Sequence, residues 1–143
     1  IKEPQICTAT EAKLEETHMV EEFFLYTPSY ENEVILLFGL LMPHLDDKFV
    51  IEEYSDSFPD CLAQRDGKEI GIEFQLYSND FIRDGHPEDP NLSKCKLIVC
   101  WENNWKENKR VFTDVNGDSN EIEVYPLKEV LARALSTSAI TSK

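Results

Sequence analysis

An α/β fold, with one mixed β-sheet flanked by helices, is the class this sequence predicts, and three observations predict it. A strongly apolar segment with helical period, residues 31–42, comes before any strand. Short strand-like runs follow at 49–54, 58–77 and 96–101, the longest folded on itself at Asp66-Gly67. A second hairpin, turning at Asn116-Gly117, leads into an amphipathic helix near the C-terminus.

The elements are taken in order. Residues 1–26 read as an acidic N-terminal helical extension, its helix starting with Thr10 as N-cap and running through Leu14, Met19, Val20 and Phe23. A single α/β domain is expected over 27–135. It opens with Thr27 as N-cap and Pro28 as N1, and its helix body runs from Glu31 to about Met42, ahead of Pro43. Val34, Leu37, Phe38, Leu41 and Leu45 form a stripe at helical spacing, broadened by Ile35, Leu36 and Leu40. A helix this apolar is expected to pack on a sheet with little left exposed. Phe49 to Tyr54 reads as a strand, and a hairpin follows it. Residues 78–95 hold Gly85, Pro87 and Pro90 and have room for one short helix at most. Lys96 to Trp101 reads as a buried strand, and Val111-Phe112 is expected to pair with Ile122–Tyr125. Pro126 opens the last helix, with Leu127, Val130, Leu131 and Leu135 on its apolar face, and 136–143 read as a frayed tail.

Composition narrows the function. The 143 residues are enough for one domain with a real core, and 41% are hydrophobic. No apolar run approaches the ~20 residues of a membrane span, so no membrane partner is expected. No signal peptide is visible, and the chain begins at Ile1 rather than Met, so either a trimmed chain or a domain cut from a longer protein is expected. Cys7, Cys61, Cys95 and Cys100 match no disulfide framework, so a reducing, cytoplasmic setting is expected. The net charge of −14 argues against non-specific affinity for a phosphate backbone. The one basic stretch is 94–110, where Lys94, Lys96, Lys106, Lys109 and Arg110 outnumber Glu102 and Glu107. It reads either as a solvated loop or as a nucleic-acid surface.

The most informative feature is a pair of acids. A turn centred on Asp66-Gly67 sets Arg65 opposite Lys68, Ala63 opposite Ile70, Cys61 opposite Ile72 and Asp60 opposite Glu73. Directly opposed side chains have Cβ atoms roughly 5 Å apart, so two carboxylates there repel each other unless a cation intervenes. Ile70, Ile72, Phe74 and Leu76 share the core face of the second strand, and Glu73, Gln75 and Tyr77 share the other. An edge hairpin with a solvated polar face is the plainer reading. Glu33 lies at the rim of the apolar helix face, where such a residue either supports the helix N-terminus or points into a site.

Phe58-Pro59-Asp60, then Ile72-Glu73-Phe74-Gln75, His86, and Leu97-Ile98-Val99-Cys100-Trp101, behind a helix that carries Glu33, resembles the PD-(D/E)xK nuclease superfamily. The resemblance spans roughly residues 30–101 and implies a restriction-endonuclease-like core. It implies that Asp60 and Glu73, with the carbonyl of Phe74, hold Mg²⁺ (or Mn²⁺), and that Glu33 orients the attacking water. The implied reaction is phosphodiester hydrolysis, with DNA or RNA as partner, approached through 94–110. The chain departs from the family's pattern at Gln75, which stands where the family has lysine. Either Gln75 substitutes, or Lys96 or Lys68 supplies the charge, Lys96 being better placed, or the site is weakened and the domain serves as a binding module. The segment after Gln75 is also too short for the helix usual there. A third alternative is an acidic protein-interaction domain whose paired carboxylates are incidental.

Other motifs carry less. His86, Cys95 and Cys100 fit no zinc-finger spacing. Asp114-Val115-Asn116-Gly117-Asp118 lacks the terminal Glu of a calcium loop and reads as a hairpin turn. Trp101 reads as core, while Trp105 could stack on bases. No P-loop and no nucleophilic triad is present.

Overall fold

The computed structural model describes residues 27–133. The expected helix from Thr10, Leu135 and the tail 136–143 lie outside the described residues. The chain is α/β: helix α1 (Glu31–Leu41), strands β1 (Phe49–Tyr54), β2 (Cys61–Arg65) and β3 (Lys68–Tyr77), short helix α2 (Asp80–Arg83), then β4 (Cys95–Glu102), β5 (Lys109–Thr113) and β6 (Ser119–Pro126), with helix α3 over 127–133. The six strands form one mixed sheet in the order β1-β2-β3-β4-β6-β5. β1, β2 and β3 are successively antiparallel, β3, β4 and β6 are parallel, and β5 closes the far edge antiparallel to β6. Among the described residues no helix is long and apolar enough to cross a membrane.

One face of the sheet carries α1 and α3. Val34, Leu37, Phe38 and Leu41 pack there with Ile72, Phe74, Leu97, Val99, Leu127 and Leu131. Phe38 sits at the centre, its ring 5.1 Å from Phe49, 5.6 Å from Phe74 and 6.5 Å from Tyr125. The expectation that α1 is buried nearly all round is corrected: Leu36 and Leu40 are 55% and 41% exposed, because α1 covers one sheet face and turns these two away from it. The helix also starts later than Thr27-Pro28 implies, with Tyr30 as its N-cap. The opposite sheet face is covered by the irregular segment after β3 and by the β4–β5 loop, through Phe81, Leu92 and Trp105, with Phe112 of β5 packed beside them.

The β2–β3 turn behaves as its sequence requires. Asp66 and Gly67 both have positive φ, and the register runs from Arg65 opposite Lys68 to Cys61 opposite Ile72. β3 continues five residues past Ile72, where β2 has already begun, so Glu73 to Tyr77 have a strand neighbour only on the β4 side. That open half-edge is where the acids gather. Gly71 is needed just before it: a Cβ there would meet the carbonyl oxygen of Lys94 at 2.2 Å and Pro59 Cγ at 2.9 Å. The β3/β4 pairing shifts by one residue at the same place. At the far hairpin, Asp114 Oδ1 accepts from the Asn116 and Asp118 N–H groups, which makes 114–118 a side-chain-closed turn.

Candidate active site

Asp60 and Glu73 are interlocked. The Asp60 N–H donates to Glu73 Oε1 at 3.0 Å, and the Phe74 N–H donates to Asp60 Oδ2 at 3.0 Å. The Asp60 carboxylate thus takes the place that a strand neighbour would have on the open half-edge of β3. The contact Phe74 makes with the pair runs through its N–H. Glu73 is buried, and the Asp60 and Glu73 carboxyl groups lie within hydrogen-bond reach of each other. Burial pushes the Asp60 carboxyl up to about 7; the Phe74 N–H opposes the rise, and the charges of Glu73 and Glu31 add to it.

Two further acids complete the cluster. Glu31, in the first turn of α1, is raised by burial and by the charges of Glu73 and Asp84, against the pull of His86. Asp84 ends α2. Between these acids lies Gln75, 1% exposed. With its amide in one sense, Nε2 donates to Glu73 Oε2 at 3.4 Å. Turned over, the amide nitrogen donates to Glu31 Oε2 at 3.2 Å and Asp84 Oδ2 at 3.3 Å, two shorter bonds that favour this sense. Gln75 is therefore an amide wedged among carboxylates.

His86 closes the cluster from the other side. Its Nε2 is 3.0 Å from Glu73 Oε2. The ring stacks on Phe58 at 4.5 Å and 10°, with Phe81 at 5.2 Å. Gly85, in the left-handed region with φ 80°, turns the chain so that His86 faces back toward the strand. Burial pulls the imidazole down, but the hydrogen bond and charge of Glu73, then Asp84 and Asp60, outweigh it, and the group sits above its ordinary value.

Two expected site residues lie elsewhere. Glu33 Oε1 accepts from the Ser29 N–H at 2.8 Å and the Tyr30 N–H at 3.2 Å, so it caps α1, and Glu31 is the helix acid that reaches the cluster. Lys96 bonds Asn120 Oδ1 instead of the acids. The register shift at the start of β4 is the reason: Cys95 and Ile98 both face the Phe81 side of the sheet, so simple alternation does not hold through Lys96. Lys68, the other expected cation, sits opposite Arg65 at the hairpin turn. The zinc alternative loses its geometry, since His86 is bonded to Glu73 and the Cys95 thiol, pushed up by burial, points at the Leu97 carbonyl.

Within 94–110, Arg110 stacks over Trp105 at 4.1 Å and pairs with Glu107 at 2.6 Å, and Lys109 faces Glu121 at 4.0 Å. Trp101 is buried in the α1-side core and Trp105 is buried on the other side, its Nε1 donating to Asn79 Oδ1.

A hard divalent cation suits the donor chemistry here, which is carboxylate oxygen with crowded negative charge. Among the described residues no three acid, histidine or cysteine side chains converge as a metal's ligands do; the carboxylates point into the hydrogen bonds just given. Asp60 and Glu73 are the two that share an edge and oppose each other, and burial first, then the charge of Glu73, raises the Asp60 carboxyl. No family model, curated protein or solved structure matches this chain.

Proposed function

We propose that the domain is a divalent-metal-dependent phosphodiesterase of nuclease type, with a restriction-endonuclease-like core acting on DNA or RNA. One observation carries the reading: Asp60 and Glu73 are interlocked by hydrogen bonds at the open half-edge of β3, where burial raises the Asp60 carboxyl to about 7. The order helix, strand, hairpin and then a parallel strand supports the same core.

Asp60 and Glu73 would hold Mg²⁺ or Mn²⁺, which when bound polarises a phosphate and lowers the pKa of an attacking water. Asp60 is kept in position by the Phe74 N–H and Glu73 by the Asp60 N–H. Glu31 is the acid available to orient a water or accept its proton, because its raised carboxyl brings it nearer neutral pH. Gln75 donates an amide proton but no charge.

A second reading, a nuclease-fold domain that binds without cleaving, is favoured by one finding. Lys96 is held by Asn120, so the lysine expected beside the acids does not reach them. Calorimetric titration with Mg²⁺ and Mn²⁺, alongside cleavage of labelled DNA and RNA oligonucleotides, separates the two. Binding and cleavage that Asp60→Ala abolishes support the first; binding without cleavage supports the second. Absence of metal binding, with wild type and Glu73→Ala alike, sinks the first.

A further inference from the structure

The acid cluster lacks the charged donor that a lysine at position 75 would bring, and among the described residues few side chains are placed to replace it. Lys96 is committed to Asn120, at the end of β4 where the register shifts. Lys68 is at the hairpin turn, opposite Arg65 and four residues beyond the Cys61–Ile72 pair. Arg83 has a 70% exposed side chain that reaches Asp80 at 3.1 Å and only the outer side of Asp84, at 3.7 Å. His86 differs from all three. Its side chain is 18% exposed, and its Nε2 lies directly on the Glu73 carboxylate.

The geometry points to His86 as a catalytic N–H donor of this site, doing from the loop after α2 what the lysine absent at position 75 would do from β3. The inference rests on the phosphodiesterase reading above. The ring is not a loosely attached loop histidine: Phe58, the residue two before Asp60, lies flat against it, and Phe81 backs it. Phe58 and Asp60 come from one short stretch, so the stretch that delivers the acid also fixes the plane of the imidazole. A phosphate oxygen brought beside Glu73 meets the same Nε2–H that now rests on Glu73 Oε2. Gln75, facing Glu31 and Asp84, is turned toward the other acids and leaves this side to His86.

The test uses His86→Met, which keeps length and packing against Phe58 but has no donor, and His86→Gln, whose amide N–H reaches the Nε2 position. Two quantities are read: Mn²⁺ affinity by calorimetry, and kcat and KM on a labelled oligonucleotide, DNA or RNA, that the wild type cleaves. His86→Met is expected to lower kcat about 100-fold with KM within about threefold, the loss typical of one preorganised donor. Its Mn²⁺ affinity is expected to stay level or rise, because the N–H on Glu73 competes with the metal for that oxygen. His86→Gln is expected to retain most of the turnover. Retained kcat in His86→Met overturns the inference. So does markedly weaker Mn²⁺ binding, which makes His86 a ligand or a prop for Glu73. Failure of the underlying reading looks different: wild type then neither binds Mn²⁺ nor cleaves, Asp60→Ala changes nothing, and this inference falls with it.

Discussion

Asp60→Asn is expected to stabilise the metal-free domain at neutral pH. Asparagine keeps an oxygen for the Phe74 N–H and removes one negative charge from the cluster. In the folded chain the Asp60 carboxyl rises from an ordinary 3.8 to about 7. A raised carboxyl binds more protons folded than unfolded between these values, so its contribution to stability falls as pH rises through that window. Between about pH 4.5 and about pH 7.5 the full difference costs roughly 3 kcal/mol; halved for the partial exposure of Asp60, it is about 1.5 kcal/mol, or about 5 °C in Tm. Glu31 and His86 are raised too and slope in the same sense: the stability that His86 contributes is complete below its unfolded value and is lost above its folded one. Wild type is therefore expected to lose stability across this range, and the asparagine variant to lose less. Urea unfolding at both pH values, with and without Mn²⁺, measures it. A variant with the wild-type pH slope, or one less stable than wild type at pH 7.5, would refute the claim that burial, with the charges of Glu73 and Glu31 added, disfavours the ionised Asp60 carboxyl.

Further outcomes are expected. Phe38→Ala should cost about 3–5 kcal/mol in denaturant unfolding, as for a large ring removed from a core centre. Gly71→Ala should cost about 1–3 kcal/mol, since the new methyl group meets backbone at Lys94, and should perturb the start of β4 in NMR spectra. Glu33→Ala should lower stability by about 0.5–2 kcal/mol, as loss of a cap does, and leave Mn²⁺ affinity unchanged. Glu31→Gln should do the reverse, altering metal affinity or turnover with little loss of stability.

The hairpin register was readable because Asp66-Gly67 is a local signal, and one turn of known geometry sets every pair back to Cys61 and Ile72. The opposition of Asp60 and Glu73 followed from it. Glu31 was harder to find. It lies two residues from Glu33, about 200° around the helix, so a small error in where α1 begins exchanges the acid that caps for the acid that faces the strand. Lys96 was misplaced because alternation assumes an unbroken ladder, and the shift between Gly71 and Ile72 breaks it. Asp84 and His86 reach the site through a short helix and a left-handed glycine, a path with no periodic signature. The exposed outer side of α1 was hidden by composition, since Leu36 and Leu40 read as core in any count of apolar residues.

The substitution of a carboxylate for a strand at the open half-edge of β3 makes the Phe74 amide an internal reporter. Most sheet amides answer to a neighbouring backbone and are indifferent to chemistry at a site. This one answers to Asp60 Oδ2. Protonating Asp60, or drawing its charge toward a cation, changes the partner of that one N–H without unzipping any ladder. Its proton shift and its rate of deuterium exchange therefore register the electrical state of the site from within the framework, with no substrate present.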